Sequence, residues 1–210
     1  MGYVVAFSGT SGAGKSALMR HVQQAHGDCA ILHFDDYISL GTDLEDIQAW
    51  VASGAPADAI ETPQLPLDLT RLVAKQAVTP PGREKPIEPA QLILLEDPFG
   101  RARSAIRPHI DHALHLELPH DLALARRSLR TIHALTDGEA PDTDPLKVLD
   151  NLKAQFDAYL GPGRLAYQLA EAQARAVSDL ILDARKPLAT LTTEALASIK
   201  RARTEKTRTQ

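Results

Sequence analysis

An eight-residue run at positions 9–16, GTSGAGKS, restricts this chain to a narrow set of folds. It follows a short apolar segment, Tyr3 to Ser8, and precedes a stretch with helical spacing from Lys15 to His26. Glycines let a loop wrap with its backbone N–H groups pointing inward, and the dipole of the following helix favours an anion. A glycine-rich turn without a ligand is the alternative. The strand before and the helix after favour a phosphate-binding loop.

Within such a loop the last two residues have distinct roles. A lysine at the position of Lys15 reaches the β- and γ-phosphates, and a hydroxyl at the position of Ser16 binds magnesium. We therefore predict that ATP and Mg²⁺ bind here. The expected nucleotide contacts are Gly9, Ser11, Gly12, Ala13, Gly14, Lys15, Ser16 and Ala17.

Short apolar runs alternate with longer periodic stretches along the rest of the chain. The runs predict buried strands at Tyr3–Ser8, Ala30–Phe34, Gln91–Leu95, Ala113–Leu118 and Ser178–Leu182. The periodic stretches predict helices at Lys15–His26, Thr42–Ala52, Asp68–Ala77, Asp121–Leu135, Pro145–Ala176 with an interruption at 161–163, and Thr193–Arg201. Buried strands separated by helices indicate an α/β fold, with a five-stranded parallel sheet in a three-layer α/β/α arrangement.

The sequence predicts one domain over residues 1–203. Residues 42–89 are expected to be a substrate-binding or lid insertion, and within them 79–89 (TPPGREKPIEP) a surface loop. The basic segment 204–210 is expected to be a flexible tail.

Composition narrows the class of partner. The net charge is −4 and the pI about 6.0, which argues against a general nucleic-acid binder. The single cysteine, Cys29, allows no intrachain disulfide, and no apolar stretch has the length of a membrane span. The start lacks a secretion signal. We expect a cytoplasmic monomer or homodimer that acts on a small molecule and binds neither membrane nor nucleic acid, and no zinc site among its eight histidines.

Two acidic pairs follow predicted strands. Asp35-Asp36, with Tyr37 next, follows the second strand, and Glu96-Asp97 ends the third. Ligands of parallel sheets bind at the carboxyl ends of the strands, so both pairs are expected beside the phosphate loop. Asp35 would accept a proton from an attacking hydroxyl, and Glu96 would hold magnesium. The alternative for each pair is a capped or solvated strand end.

Two groups of arginines could meet anionic groups. Arg126, Arg127 and Arg130 lie three or four residues apart on one predicted helix and would neutralise phosphoryl charge. Their alternative is a solvated basic face. Arg101, Arg103 and Arg107 follow the third strand and suggest an anionic acceptor, with an ordinary surface position as the alternative.

The run from Phe7 to Leu40 resembles the N-terminal third of the uridine kinase and nicotinamide riboside kinase group, in the phosphoribulokinase/uridine kinase family of P-loop kinases. LLEDP is similar to the family's acidic strand end, LALARRSLRTI to its arginine-rich lid helix, and SDLILDARKPL to its terminal strand. The resemblance implies a P-loop fold with sheet order 2-3-1-4-5, Asp35 as base or magnesium anchor, and Glu96 at the acidic position. Asp97-Pro98-Phe99-Gly100 departs from the family, which has glycine after the acid.

Together these features predict an ATP-dependent kinase that transfers the γ-phosphoryl group to a hydroxyl of a nucleoside-, sugar- or vitamin-like metabolite. The alternatives are a regulatory P-loop ATPase and a kinase for a phosphorylated or carboxylated metabolite. No Asn-Lys-x-Asp run is present, so the sequence does not indicate a GTPase. The predicted catalytic residues are Lys15, Asp35, Glu96, Arg126 and Arg130, with Arg127 on the nucleotide. Predicted substrate contacts are Asp35, Asp36, Tyr37, Arg101 and Arg103, and predicted metal ligands are Ser16, Asp35 and Glu96.

Overall fold

Five short apolar strands pair in parallel at the centre of the computed structural model, which describes residues 2–38, 44–136 and 144–209. They are β1 (Tyr3–Ser8), β2 (Cys29–His33), β3 (Leu92–Glu96), β4 (His112–Glu117) and β5 (Leu180–Asp183). Their order in the sheet is β2-β3-β1-β4-β5. The predicted fold class is confirmed, and so is the sheet order that the family resemblance implies.

Seven helices surround the sheet in the described ranges. They are α1 (Lys15–His26), α2 (Leu44–Ala52), α3 (Gln64–Val73), α4 (His120–Thr136), α5 (Pro145–Ala158), α6 (Arg164–Ala176) and α7 (Leu188–Thr209). A π-helical turn, Tyr159–Gly163, joins α5 to α6, with non-helical backbone at Gly161 and a proline at 162. The predicted interruption of the long helix is therefore confirmed, since proline removes a helical hydrogen bond. No helix in the described part of the chain is long and apolar enough to cross a membrane.

Alternation along β1 divides the core into two layers. Val5 and Phe7 face one side, where they pack in a cluster with α1, α7 and the start of α4. Val4 and Ala6 face the other side, in a cluster with α3 and the chain that leads into β4. Because both faces of β1 are covered, the strand is apolar throughout, as the sequence predicted.

Helix α3 corrects two predictions. It begins at Gln64 rather than Asp68, because Pro66 falls in the first turn, where proline costs no helical hydrogen bond. It ends at Val73, shortly before Lys75 adopts a positive φ of 66°. Three of its leucines, Leu65, Leu69 and Leu72, are fully buried in the second core layer. α3, which lies within the predicted 42–89 insertion, therefore packs in the core; Thr42, the predicted start of the second helix, lies outside the described residues.

The C-terminal helix corrects the prediction of a flexible tail. α7 starts five residues earlier than predicted and continues to Thr209, so residues 204–209 are helical. Lys206 forms an ion pair with Asp111 and lies 5.6 Å from the centre of the Tyr3 ring. The basic residues extend the helix because they meet an acid and an aromatic face on the sheet.

A chain of hydrogen bonds joins α7 to the amino ends of β4 and β5. The Oγ of Ser198 lies 2.9 Å from Nε2 of His112, whose Nδ1 lies 3.1 Å from the carboxylate of Asp179. Burial is the main reason that the pKa of His112 is lowered, so the ring is neutral and accepts from the serine. Arg101 binds the second oxygen of Asp179 at 2.8 Å. Ser198 is buried on its helix, and the network holds α7 against the sheet.

Candidate active site

The loop of residues 9–16 connects β1 to α1 at the carboxyl edge of the sheet, where all five strands end. Gly9 has a φ of 134°, and a Cβ there would lie 2.5 Å from the carbonyl oxygen of Leu116. Gly12 has a φ of 94°, and a Cβ there would lie 2.5 Å from the carbonyl oxygen of Ala123. Only glycine fits both the backbone angle and the space at these positions. The loop is thereby pressed against β4 and α4.

Lys15, the first residue of α1, is buried with only 8 % of its surface exposed. Its ammonium donates to the carbonyl oxygens of Gly9 (2.9 Å) and Thr10 (3.2 Å) and lies 3.6 Å from Oε1 of Glu96. Burial lowers the pKa of Lys15, while Glu96, Asp35 and Asp97 favour its charged form. The ammonium group therefore lies inside the loop, against the carbonyl oxygens of Gly9 and Thr10.

Glu96, the last residue of β3, is the hub of the site. Its Oε2 accepts a hydrogen bond from the hydroxyl of Ser16 (2.8 Å) and lies 2.8 Å from Nδ1 of His33. Burial alone would raise the pKa of Glu96, but the hydrogen bond from His33, the charge of Lys15 and the hydrogen bond from Ser16 together lower it to about 2. The carboxylate is ionised at any physiological pH, as a metal ligand must be.

Asp35 and Asp36 lie in a 3-10 turn directly after β2, and the structure gives them different surroundings. Asp35 is exposed. Asp36 accepts from Nε of Arg83 at 2.7 Å, and its carbonyl accepts from the backbone of Gly82 at 2.8 Å. The loop at 79–89 thus folds onto Asp36 and leaves Asp35 facing solvent at the carboxyl edge.

Asp97 and Arg103 form a buried pair behind the site. Arg103 is 3 % exposed and Asp97 is fully buried, and the two side chains are ion-paired. Arg103 also donates to the hydroxyl of Thr62 at 2.7 Å and stacks over the ring of Phe34. Burial raises the pKa of Asp97 while Arg103 opposes that shift. These contacts hold the side chain of Arg103 in the core, which argues against the prediction that it binds substrate.

Arg101 and Arg107 also lie away from the predicted substrate site. Arg101 binds Asp179 and the carbonyl of Asp111, residues that immediately precede β5 and β4 at the amino edge. Arg107 is exposed and donates to the carbonyl of Arg101. The structure does not bring these side chains to the phosphate loop, because the β3–β4 connection carries them to the other end of the sheet.

Tyr37 is likewise structural. Its side chain is buried in the second core layer, and its hydroxyl donates to Asp68 on α3 at 3.0 Å. Burial, and then the negative charge of Asp68, raise its pKa. The predicted contact with substrate is not supported, since the hydroxyl points into the protein.

The three predicted arginines of α4 have different surroundings. Arg127 packs beside the loop, because a Cβ on Gly12 would lie 3.2 Å from its Cγ. Its guanidinium donates to the hydroxyl of Tyr167 (2.6 Å) and stacks on that ring, while its Nε is buried without a hydrogen-bond partner among the described residues. Arg126 donates to the carbonyl of Ala184, and Arg130 is exposed. Arg127 is therefore the one held against the loop.

A cavity of about 300 Å³ opens at the carboxyl ends of β4 and β5. His120 and Glu171 line it and are 2.8 Å apart. Buried His115 lies 3.6 Å from Glu171 and 3.0 Å from the hydroxyl of Ser8, the residue before the loop. Glu171 therefore connects α6 to α4 and β4, and His115 of β4 in turn contacts the strand that carries the loop.

Sequence reasoning missed His33, Arg83 and Glu171 as neighbours of the site. His33 had a usable signal, because it lies two residues before Asp35 on a strand whose end was expected at the site. Arg83 and Glu171 had none, since nothing local in a loop or an amphipathic helix marks a residue that contacts a distant strand.

The donor set at the loop suits magnesium. Ser16 supplies a hydroxyl and Glu96 an ionised carboxylate, and both are oxygen ligands of the kind that Mg²⁺ prefers. Across the described ranges, no group of three or more His, Cys, Asp and Glu side chains is arranged to hold a metal ion. Magnesium bound with a triphosphate does not need such a group, because phosphate oxygens and water complete its shell.

No protein-family model matches the chain, and no curated protein matches its sequence. Among solved structures, it is similar to a possible uridine kinase from Bacillus stearothermophilus, with 13% identity, a TM-score of 0.49 and coverage of 87% of this chain and 89% of that one. A gluconokinase from Sinorhizobium meliloti has 18% identity, a TM-score of 0.48 and coverage of 100% and 98%. A shikimate kinase from Acinetobacter baumannii has 16% identity, a TM-score of 0.43 and coverage of 96% and 94%. Likenesses this distant carry no argument about activity, which depends on the site itself.

Proposed function

We propose that this protein is an ATP-dependent small-molecule kinase that transfers the γ-phosphoryl group of ATP to a hydroxyl of a nucleoside-, sugar- or vitamin-like metabolite. The observation that carries the proposal is the convergence of Lys15 and Ser16 on the two oxygens of Glu96, at 3.6 and 2.8 Å. The loop with its lysine and hydroxyl comes from one segment of the chain and the acid from another, and they meet at one point, which is the arrangement that phosphoryl transfer requires.

Each residue of the site then has one task. The backbone of the loop and the ammonium of Lys15 bind the phosphates and stabilise negative charge on the transferred group. Ser16 and Glu96 would hold magnesium. Asp35, exposed at the end of the neighbouring strand, orients the acceptor hydroxyl and takes its proton at the carboxylate. When bound, magnesium supplies further positive charge to the phosphate oxygens.

Water must be kept from the phosphates, because it competes with the acceptor. Arg127 and helix α6 suit this task, since the arginine contacts Tyr167 of α6 beside the loop. The cavity beside β4 and β5 lies next to the segments that contact Gly9 and Gly12, and its volume of about 300 Å³ is within the range of ligand pockets. We assign it to the nucleoside half of ATP.

The proposal is tested by ATP consumption in the presence of nucleosides, sugars and vitamin precursors, assayed one class at a time. A kinase consumes ATP in proportion to one acceptor and yields its phosphorylated product. Slow hydrolysis that no small molecule stimulates, but that a protein partner does, would instead support a regulatory ATPase.

Lys15→Ala provides the matched control for that screen. Losing the charge on the transferred group should lower the turnover by about a hundredfold or more and leave the fold intact. Exposed Lys147 on α5 offers a comparison variant, Lys147→Ala, with unchanged turnover. Near wild-type turnover in Lys15→Ala would remove the loop from the chemistry.

A further inference from the structure

His33 ends β2 at the same level as Glu96 ends β3. The parallel register pairs the two residues directly, and the same register places Phe7 of β1 on the other side of Glu96. One strand, β3, therefore lies between His33 and β1, the strand that leads into the phosphate loop. Its side chain is 31 % exposed, so it is neither core nor free surface.

The contact between the two side chains is specific. Nδ1 of His33 lies 2.8 Å from Oε2 of Glu96, and an ionised carboxylate only accepts, so the ring donates its Nδ1 proton. The hydroxyl of Ser16 donates to the same oxygen. Two donors on Oε2 hold the carboxylate in one orientation.

That orientation leaves Glu96 and Lys15 in a long ion pair. The ammonium of Lys15 lies 3.6 Å from Oε1, longer than a hydrogen bond, and donates to carbonyl oxygens of the loop instead. A carboxylate that loses His33 keeps only the hydrogen bond from Ser16 on Oε2 and is less restrained from turning onto Lys15. Such a closed pair would withdraw the lysine from phosphate and the carboxylate from metal.

We propose that His33 is a positioning residue, which holds Glu96 toward Ser16 and so makes the pair ready for magnesium. The inference rests on the proposed function, because it assigns a role within the same site. Hydrogen-bond partners of metal-ligating carboxylates commonly change metal affinity by about 10- to 100-fold when they are removed. His33 belongs to this class, since it contacts the ligand and not the reacting atoms.

Two variants separate the hydrogen bond from the bulk of the ring. His33→Phe keeps a ring and removes the donor, whereas His33→Asn places an amide N–H close to the position of Nδ1. His21→Phe makes the same exchange on the exposed face of α1 and is the matched control. Thermal unfolding of each variant checks that the fold is kept.

The measurement is isothermal titration with a non-hydrolysable ATP analogue, in EDTA and in excess magnesium. The quantity of interest is the gain in affinity that magnesium brings. In His33→Phe we expect this gain to fall by about tenfold or more, with affinity in EDTA changed less than about twofold. His33→Asn should keep most of the gain, and His21→Phe all of it.

The outcomes of the titration distinguish the role of His33 from the proposed kinase function. An undiminished magnesium gain in His33→Phe overturns the role of His33 and leaves the kinase proposal standing. An equal loss of affinity with and without magnesium also overturns it, since the effect would not pass through the metal ligands. If the wild-type protein binds the analogue without any gain from magnesium, the His33 inference fails while nucleotide binding stands. Absence of binding to the wild-type protein would defeat both.

Discussion

The two edges of the sheet use charged side chains in opposite ways. At the amino edge two carboxylates have protein partners: Asp179 binds Arg101 and His112, and Asp111 binds Lys206. At the carboxyl edge Asp35 is exposed, and Nε of Arg127 lacks a partner among the described residues. Lys15 donates to carbonyl oxygens of its own loop, with Oε1 of Glu96 3.6 Å away.

The difference separates the charged side chains that stabilise the fold from those that are available to bind a ligand. A charge that is already closely paired gains little from a new partner, whereas an ammonium that donates to carbonyl oxygens and lies 3.6 Å from a carboxylate oxygen gains a great deal from phosphate. Substitutions at the amino edge should therefore change stability, and substitutions at the carboxyl edge should change activity. The predictions below test this division.

The largest effect is expected for Asp35. Asp35→Asn keeps the size of the side chain but cannot take a proton, so the transfer rate should fall by about a hundredfold to ten-thousandfold. Nucleotide affinity and the free energy of unfolding should change little, because the side chain is exposed. Single-turnover rates, titration with an ATP analogue and chemical unfolding measure the three quantities.

Asp36→Asn is the control for Asp35, because that carboxylate is already paired with Arg83. We expect it to be the milder change in rate. A heavier loss of rate in Asp36→Asn would assign the role of the base to Asp36. Full activity in Asp35→Asn would remove Asp35 from the reaction. Loss of nucleotide affinity that added magnesium restores would instead identify Asp35 as a metal anchor.

The buried pair of Asp97 and Arg103 should be an exception to this division between the two edges. It lies beside Glu96, at the carboxyl edge, but each of the two charges already has a protein partner. Arg103→Met leaves Asp97 buried without its cation, so the free energy of unfolding should fall by about 3–5 kcal/mol. Urea unfolding measures this loss.

The double variant Asp97→Asn/Arg103→Met removes the unpaired charge and should recover part of the lost stability. A loss below about 1 kcal/mol in Arg103→Met would mean that the pair contributes little and that Arg103 is available for another role.

The pH dependence of stability reports on Glu96. Its pKa in the folded protein, about 2, is below the ordinary value of 4.5, so the ionised carboxylate stabilises the fold above pH 4.5 and this contribution is lost as the pH falls toward 2. Between pH 6 and pH 3 the wild-type protein should lose about 2 kcal/mol that Glu96→Gln does not lose. Urea unfolding at several pH values compares the two proteins.

Glu88→Gln, at an exposed position, is the control and should follow the wild-type curve. Parallel curves for the wild-type protein and Glu96→Gln would contradict the network of Glu96 with His33, Ser16 and Lys15.

The smallest effect is expected at Lys206, on the last turns of α7. Lys206 is 43 % exposed, so water weakens its interactions with Asp111 and the ring of Tyr3, and Lys206→Ala should lower the free energy of unfolding by about 0.5–1 kcal/mol. Kinase turnover should be unchanged. Lys200→Ala, exposed on the same helix, should have no measurable effect, and an equal loss there would attribute the change to helix propensity.

Local pattern was enough for the strands, the loop and most helices. β1, the phosphate loop and α1 lie where the sequence predicted them, because buried strands, glycines and helical periodicity each leave a signal within a few residues. Lys15, Ser16 and Glu96 were identified as candidates for the same reason. The limits of α3 and α7 were not predicted, since Pro66 had to be placed in a first turn and the basic end of α7 depends on Asp111 and Tyr3.

What the sequence alone determined, then, is the order of the elements and the loop that the first strand presents. Tertiary structure decided what each charged residue does. Arg103 and Arg127 are equally basic in the sequence, yet one is paired with Asp97 in the core and the other lies against Gly12 of the loop. His33 meets Glu96 across 63 residues of chain, and Ser16 meets it across 80. The physical reason is that the role of a charge is set by the partners and the burial around it, and those are supplied by strands and helices far away in the sequence.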